Sequence, residues 1–483
     1  MLKISSSEKT AIVFPDSQSV SVDLYRKFTE QYADGMQGIS YRNLLSIIGD
    51  LQALISDETR KDDLLVLPVS NRIDSILLIL TLWARGTTPL LVSEKIIQKE
   101  ISELSDFFRI KVIGQGHLLG SIARDVDLTA PDDLTIDTGK DCSVILTSGS
   151  EGKPSAAVVP FTSVAEHLYI TGKIFGDQSI SRWLLSLPVN HVSGLAILCR
   201  ALFNQGTLFI PESQKAEDLI PLINRHGITH CSLVNAQLQD LAEMQLAGDN
   251  KLKCVLVGGG PSDSGVIRES LKKGWPIYKV YGATETFTMI TAVDLTRNPE
   301  KIDTSGKFLD GVTGKIIPVD ESLTEEEGEV LVKSPTLIRQ FLGDEGKGKE
   351  KFRNGYFHTG DIGKIDSEGY LTLLMRRTDL IVSGGLNINP LEIERALIST
   401  GLIEEVCVTG KQDTRWGEIV VALVKVKQGN DVTAEMLNQK LGDKIDDRKN
   451  PKEYVFVESL PRTELGKLKR AEIRKNINKS IIP

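Results

Sequence analysis

Residues 145–159 read ILTSGSEGKPSAAVV, a stretch that joins a short apolar run to a loop of small and hydroxyl residues. The run 143–146 (SVIL) is typical of a buried strand. The loop 147–153 that follows it carries hydroxyls, glycines and exposed amides that suit phosphate oxygens. Its spacing is not that of a Walker A loop. A structural turn is the alternative that the local sequence leaves open.

Apolar runs alternate with helical segments in both directions from this stretch. Apolar residues recur at helical spacing from Ile39 to Leu54, and residues 76–84 form a second apolar helix. Short apolar runs that predict strands lie at 64–69, 89–92, 183–187, 207–210, 230–233, 253–257 and 276–280. The pattern predicts an α/β fold, in which a large N-terminal body has helices layered on parallel sheets.

The pattern changes towards the C-terminus. Strands interrupted by Gly, Asp and Glu predict β-hairpins that form a β sub-barrel at about 310–376, within an N-terminal domain of residues 1–376. Residues 377–483 have strands and helices of their own, which predict a small C-terminal α+β domain.

The composition excludes several classes of protein. With 41% hydrophobic and 25% charged residues among 483, the chain is not extensively disordered. Its 57 Lys and Arg against 65 Asp and Glu give a net charge of −8, which argues against a nucleic-acid binder. No signal peptide or membrane span is apparent. Five scattered cysteines predict free thiols in a reducing cytoplasm. A homo-oligomer remains open.

Two more candidate motifs directly follow predicted strands. Three consecutive glycines, 258–260, permit close approach by a flat ring, although a tight turn is an equal alternative. The motif 281–285 (YGATE) brings a hydroxyl and a carboxylate to a strand's C-terminal end, where α/β sheets bind ligands. Its Glu285 could hold Mg²⁺. A helix-capping Thr284 with a first-turn Glu285 is the alternative.

Two candidates lie further along the chain. Asp361 ends the stretch 356–361 (YFHTGD), and its carboxylate could pair with ribose hydroxyls, with an Asx turn as the alternative. Lys467 lies in the basic segment 465–470 (LGKLKR), for which a solvated helix is the alternative.

Taken in order, these motifs resemble those of the adenylate-forming superfamily of acyl- and aryl-CoA ligases. They are ILTSGSEGKPSAAVV, VLVGGGP, VYGATE, GYFHTGD, RRTDLIVSGGLNINPLEIE and LPRTELGKLKR. The resemblance implies a carboxylic acid substrate, ATP with Mg²⁺, and CoA as co-substrate. A carboxylate attacks the α-phosphate of ATP to give an acyl-adenylate, and a thiol then displaces AMP. The C-terminal domain is implied to be mobile.

The resemblance also implies roles for the ATP-binding residues. Those that hold the β- and γ-phosphates are Thr147, Ser148, Gly149, Ser150 and Gly152. Those at the adenine and next to it are Gly258, Gly259, Gly260, Tyr281 and Gly282. Thr284 is implied to contact the α-phosphate and Glu285 to bind the Mg²⁺ ion. Asp361, with Arg376 beside it, is implied to bind the ribose.

Three residues of the C-terminal segment have implied roles in the reaction. Lys467 is implied to bridge the carboxylate and the α-phosphate, where a fixed cation stabilises the developing charge. Thr378 occupies the hinge, and Gly385 lines the tunnel for the CoA arm.

The stretch 183–202 (WLLSLPVNHVSGLAILCRAL) resembles the o-succinylbenzoate–CoA ligases of menaquinone biosynthesis. This resemblance implies that His191 closes the acyl pocket and is one of the catalytic residues. Ser193 and Arg200 address the keto group and second carboxylate, since arginine is the natural partner of a carboxylate. Thr288, beside the bulky Met289, offers a small hydroxyl.

Two residues depart from the family pattern. Ser155 stands where a lysine usually follows the proline, and Glu151 stands where a threonine is usual, so the loop loses positive charge near pyrophosphate. Slow or lost adenylation would follow unless Lys153, which is nearby in the sequence, compensates. The alternatives are another aryl- or fatty-acid CoA ligase, a stand-alone adenylation enzyme, and a non-catalytic nucleotide-binding homologue.

Overall fold

The computed structural model describes most of the chain and divides it into two compact units. The first unit is Met1–Thr313 with Lys333–Phe357, and the second is Gly314–Val332 with His358–Pro483. The domain limits given by the sequence stay a prediction. The described residues are 1–21, 29–32, 34–55, 63–96, 98–112, 133–147, 155–247, 249–260, 262–318, 326–376, 379–383, 386–442, 444–463, 466 and 468–479.

Strands and helices alternate through these residues. The strands are β1 (Leu2–Ser5), β2 (Thr10–Pro15), β3 (Glu30–Tyr32), β4 (Met36–Ser40), β5 (Leu64–Val69), β6 (Thr88–Ser93), β7 (Lys111–Val112), β8 (Asp133–Ile136), β9 (Asp141–Thr147), β10 (Ser155–Pro160), β11 (Arg182–Leu184), β12 (Thr207–Phe209), β13 (His230–Leu233), β14 (Cys254–Val257), β15 (Ile277–Ala283), β16 (Thr288–Asp294), β17 (Lys307–Phe308), β18 (Thr313–Ile317), β19 (Gly328–Lys333), β20 (Gln340–Leu342), β21 (Phe352–Arg353), β22 (Tyr356–Ile365), β23 (Leu371–Arg376), β24 (Ile381–Ser383), β25 (Leu386–Ile388), β26 (Ile403–Asp413), β27 (Gly417–Val426) and β28 (Glu453–Phe456). The helices are α1 (Tyr41–Leu54), α2 (Ile73–Arg85), α3 (Gln98–Phe108), α4 (Phe161–Phe175), α5 (Val192–Phe203), α6 (Ala216–Arg225), α7 (Asn235–Ala242), α8 (Ser264–Lys272), α9 (Glu345–Lys351), α10 (Pro390–Ile398), α11 (Ala434–Leu441) and α12 (Arg470–Asn478).

The larger sheet of the first unit has the order β17-β16-β15-β14-β13-β11-β12-β2-β4-β3. Its central strands, β11 to β15 and β2, run parallel to their neighbours in this series, which confirms the predicted parallel α/β body. Strand β11 ends at Leu184, earlier than the apolar run predicted. The Leu185 amide still bonds to β12, but on the β13 side the Ser186 hydroxyl donates to the carbonyl of Ser232 (2.5 Å) in place of a backbone bond.

The second sheet of this unit has the order β20-β10-β9-β6-β5-β7. It is parallel through β9, β6, β5 and β7, and antiparallel where β10 meets β9 and β20. Helix α2, the predicted apolar helix, is buried from Ile73 to Trp83. The indole of Trp83 donates to the carbonyl of Cys142 on β9 (2.6 Å), so the helix is hydrogen-bonded to the strand that leads into the phosphate loop.

The second unit contains the predicted hairpins and a C-terminal sheet. Strands β18, β19 and β22 are neighbours in this order, and β23 pairs antiparallel with β22. The C-terminal sheet has the order β25-β24-β27-β26, with β28 parallel to β27. The Arg470 guanidinium pairs with the buried carboxylate of Glu394 (2.6 Å), which also accepts from the Val408 amide (2.7 Å). Helices α10 and α12 are joined through this pair.

All five cysteines are buried and free. Among the helices of the described segments, none combines the length and the apolar character that crossing a membrane requires.

Gly282 is needed for the hairpin that β15 forms with β16. A side-chain Cβ at this residue would overlap the carbonyl oxygen of Thr288, a backbone atom that cannot turn aside. We expect Gly282→Ala to lower the free energy of unfolding of the first unit by about 3 kcal/mol or more, as overpacking does. Urea unfolding followed by circular dichroism measures the change.

Gly172→Ala is the matched control, because Gly172 lies in helix α4 with nothing within 4 Å of an added Cβ. This variant should gain about 0.5–1 kcal/mol, the usual helical difference between glycine and alanine. Equal effects of the two substitutions would contradict the assignment of Gly282 to a close backbone contact.

Candidate active site

The carboxyl ends of neighbouring parallel strands bring two of the predicted motifs together. Strand β14 ends at Val257, which pairs with Lys279 of β15, and the glycines 258–260 follow at once. A Cβ at Gly258 would lie 2.9 Å from the carbonyl oxygen of Val280. The glycine loop therefore packs against the strand that carries Tyr281, at the sheet edge where ligands of α/β folds bind.

The motif 281–285 lies partly within a strand, contrary to the prediction that it follows one. Strand β15 continues to Ala283, and a single 3-10 turn, Thr284–Thr286, comes next. The hydroxyl of Thr286 accepts from the Ala283 amide (2.9 Å) and donates to the carbonyl of Thr288 (2.7 Å). The capping hydroxyl is thus that of Thr286, so the capping role suggested as the alternative for Thr284 is wrong.

The backbone after this turn is strained. Phe287 and Thr288 both have positive φ angles, 43° and 75°, although neither is glycine and threonine is β-branched. Such residues cost about 1–3 kcal/mol each and occur mostly at functional sites. Phe287 is fully buried, with its ring edge-to-face against the imidazole of His167 (5.3 Å). The strain fixes the direction of the Thr288 side chain.

Arg200, Thr288 and His167 form a buried polar cluster. Arg200, on helix α5, is 2% exposed, and its Nε donates to Nε2 of His167 (3.0 Å). Its Nη2 lies 3.4 Å from the Thr288 hydroxyl, and its guanidinium lies 5.3 Å from the ring of Trp183. Burial lowers the pKa of Arg200 to about 10, so the guanidinium is still charged at neutral pH. No carboxylate among the described residues pairs with Arg200.

His167 is a member of this cluster that the sequence analysis overlooked. Burial, and next the charge of Arg200, hold the pKa of His167 well below its usual value, so the ring is neutral. Because Nε2 accepts from Arg200, the proton is on Nδ1, which lies 3.5 Å from the Thr288 hydroxyl. Its one sequence signal was a histidine on the apolar face of α4, and that pattern is more typical of an ordinary core residue.

His191 and Ser193 lie at the start of the helix that carries Arg200. His191 is the N-cap of α5: its amide donates to the Pro188 carbonyl (3.0 Å) and its carbonyl accepts from Leu195 (3.0 Å). Both side chains are half-buried. Ser193 and Arg200 are two helical turns apart, so they lie on one face of α5.

The ends of the phosphate loop meet where β9 and β10 pair. Thr147 pairs in register with Ser155, and its hydroxyl donates to the Ser155 carbonyl (3.2 Å). The ammonium of Lys347 lies 3.2 Å from the Thr147 hydroxyl and 3.5 Å from that of Ser155. The predicted site residues that lie outside the described residues are Ser148, Gly149, Ser150, Gly152, Thr378, Gly385 and Lys467.

Asp361 and Arg376 face each other in the second unit. They pair across β22 and β23, and Nε of Arg376 lies 2.8 Å from Oδ1 of Asp361, which is 6% exposed. The amide of Asp361 donates to the Thr359 hydroxyl (3.0 Å). Asp361 lies inside a ten-residue strand, so the Asx-turn alternative is wrong.

A magnesium ion would find few protein ligands here. No group of three His, Cys, Asp or Glu side chains within the described segments could hold a metal ion. Glu285 offers one half-buried carboxylate at the sheet edge. This donor set suits Mg²⁺ that takes most of its oxygens from substrate phosphates and water.

The chain is similar to known proteins of one enzyme family. The model of the AMP-binding enzyme family matches residues 115–342, and that of the AMP-binding enzyme C-terminal domain matches 392–467. A 2-succinylbenzoate–CoA ligase of Bacillus licheniformis is 30% identical over 435 residues, which cover 86% of this chain and 90% of that protein.

Solved structures lead to the same family. The o-succinylbenzoate CoA synthetase of Bacillus subtilis in complex with its acyl-adenylate intermediate is 25% identical, with a TM-score of 0.82 over 97% of this chain and 95% of that one. The same enzyme in complex with ATP and a magnesium ion is 26% identical, also with a TM-score of 0.82, over 97% and 96%. The chain belongs to the AMP-binding enzyme family.

Proposed function

We propose that this protein is an AMP-forming 2-succinylbenzoate–CoA ligase. It converts 2-succinylbenzoate, ATP and CoA into the CoA thioester, AMP and pyrophosphate, and its free thiols suit the cytoplasm. The observation that supports this substrate assignment is the buried cation of Arg200. The 2-succinylbenzoate–CoA ligases to which this chain is similar support the same reaction by their names. Another aryl- or fatty-acid CoA ligase is less favoured, because its substrate would leave that cation without an anion.

The energetics of Arg200 favour a dicarboxylic acid. A buried charge is costly unless a counter-charge or strong hydrogen bonds compensate it. His167 and Thr288 are neutral partners, so they orient the guanidinium without neutralising it. A second substrate carboxylate would supply the missing negative charge and could form two parallel hydrogen bonds with the planar guanidinium of Arg200. Ser193, on the same face of α5, suits the keto oxygen, and His191 suits the role of closing the pocket.

The first half-reaction joins the acid to AMP. One substrate carboxylate attacks the α-phosphate, and the bond to pyrophosphate breaks. Lys467 supplies the cation between these two anions, and Thr284 meets the α-phosphate. Mg²⁺ held at Glu285 supplies charge neutralisation to the triphosphate.

The remaining residues bind the nucleotide and allow the second half-reaction. The glycines 258–260 and Tyr281 flank the adenine, and Asp361 with Arg376 takes the ribose hydroxyls. In the second step the CoA thiol attacks the acyl carbon and AMP leaves. We assign the movement between the two steps to the 377–483 segment, with Thr378 as hinge and Gly385 lining the tunnel.

Arg200→Met tests the substrate assignment. We expect kcat/KM for 2-succinylbenzoate to fall about 100-fold or more, because a charged hydrogen-bond partner of the second carboxylate is lost. KM for ATP should not change. The melting temperature should hold or rise, since an apolar side chain replaces a buried cation. CoA thioester formation, followed by mass spectrometry, measures the activity.

The control substrate is the analogue with hydrogen in place of the carboxylate that is not activated. Wild type should use it poorly, and Arg200→Met should use both acids equally. Arg225→Met, at an exposed arginine, should behave as wild type. Pyrophosphate release with a different acid, but none with 2-succinylbenzoate, would refute the substrate. ATP binding without turnover of any acid would favour a non-catalytic homologue.

Lys467→Ala tests the two-step mechanism. We expect acyl-adenylate formation to fall at least about 100-fold, because the cation between the reacting anions is removed. Thioester formation from a supplied acyl-adenylate should change far less. Lys469→Ala is the matched control, since Lys469 is exposed and pairs with Glu472 (3.1 Å). Equal losses in both half-reactions would refute a role confined to the first step.

A further inference from the structure

The phosphate loop of this chain lacks the cation that its resemblance to the adenylate-forming enzymes leads one to expect. Ser155 stands in place of a lysine, and Glu151 adds a negative charge to the loop sequence. A triphosphate carries several negative charges, and its pyrophosphate gains charge as it leaves. A site of this kind requires a cation close to the loop.

Lys347 brings a cation to this place from a distant part of the chain. Its ammonium lies within 3.5 Å of two hydroxyls, those of Thr147, the first residue of the loop, and Ser155, which begins the strand after it. Lys347 follows Ser155 by 192 residues. The contact therefore depends on the tertiary fold, since β10 pairs with β20 just before helix α9 begins.

The side chain of Lys347 is held in this direction by its surroundings. Its amide donates to the carboxylate of Asp344 (2.9 Å), the N-cap of α9. Its ammonium lies 4.5 Å from the ring centre of Phe341, which is 4% exposed and pairs with Ala157 of β10. A cation over an aromatic face gains favourable electrostatic energy, which limits the freedom of the lysine.

Ser155 makes room for this arrangement. It is fully buried at the first residue of β10, with its hydroxyl 3.5 Å from the ammonium of Lys347. A lysine at 155 would extend from the same strand end towards the same space. In this chain the cation at this place comes from helix α9.

We propose that Lys347 is the phosphate-binding cation of this loop and contacts the β- and γ-phosphates of ATP. It takes over the charge that Ser155 lacks and stabilises the pyrophosphate as it leaves. The proposal rests on the proposed ATP-dependent function, but it does not depend on which acid is the substrate. Lys347 would then compensate for the lysine that is missing at residue 155, so Ser155 would not make adenylation slow.

The test compares Lys347→Met with Lys349→Met, an exposed lysine on the same helix. Isothermal titration gives the Kd of each variant for inorganic pyrophosphate, a non-hydrolysable ATP analogue and AMP. We expect Lys347→Met to weaken pyrophosphate and the ATP analogue about 10- to 100-fold, the effect of one lost charged hydrogen bond. AMP, which lacks both outer phosphates, should bind as in wild type, and Lys349→Met should change nothing.

A purely structural role for Lys347 would give a different result. It would weaken AMP as much as pyrophosphate, or lower the melting temperature without any selective loss, and either result would overturn the proposal. So would pyrophosphate affinity equal to that of Lys349→Met. If wild type binds neither ATP nor AMP, the proposed function itself fails. Normal wild-type binding with no selective loss in Lys347→Met refutes this inference alone.

A charge relocation provides an independent check. The double variant Ser155→Lys, Lys347→Met returns the cation to the usual place in the loop. We expect it to recover most of the pyrophosphate affinity that Lys347→Met loses. Folding is checked first by melting temperature, because Ser155 is buried. A folded double variant without recovery would overturn the proposal, and if the double variant does not fold, the single variants decide.

Discussion

The candidate active site depends on one electrostatic constraint. The guanidinium of Arg200 is removed from water, so it requires hydrogen-bond partners inside the protein. Arg200 has a neutral imidazole on one side, a hydroxyl on another and an indole face nearby. Each partner comes from a different element, so helices α4 and α5 and strands β11 and β16 must pack in one arrangement to satisfy it. A buried charged side chain thereby restricts how the surrounding helices and strands can pack.

The backbone around Thr288 is shaped by the same requirement. Two consecutive left-handed residues are unfavourable, and they persist only because the surrounding structure compensates. Here the buried ring of Phe287, the capping hydroxyl of Thr286 and the close approach at Gly282 provide that support. Backbone strain and tertiary packing therefore act together to direct the Thr288 hydroxyl towards the Arg200 guanidinium.

Much of the body could be predicted from sequence, because buried parallel strands are short apolar runs with a clear pattern. The runs at 230–233 and 253–257 coincide with β13 and β14 to within a residue. The ends of β11 and β15 differed, since side-chain hydrogen bonds and a β-bulge near Gly282, rather than propensity, set them. The resemblance implied that the glycine loop and Tyr281 lie together at the adenine, and β14 and β15 are indeed neighbouring parallel strands.

The cluster around Arg200 could be predicted only in part. Arg200 and Thr288 were singled out through resemblance, but the partner His167 was not. A histidine in an amphipathic helix has no spacing that reveals which side chain it will contact. Lys347 was missed for the same reason: its helix is a polar segment, and nothing local shows that β10 and β20 bring it beside Ser155. Contacts that depend on tertiary structure leave no periodic pattern.

The pairing of Thr147 with Ser155 beside Lys347 has a consequence for how such sequences diverge. If one cation is sufficient for the loop, the order in which residues 155 and 347 change matters. A lineage that acquired Lys347 first could lose the loop lysine with little penalty, whereas the reverse order passes through an impaired ancestor. Homologues judged by the loop alone would then be misclassified as inactive.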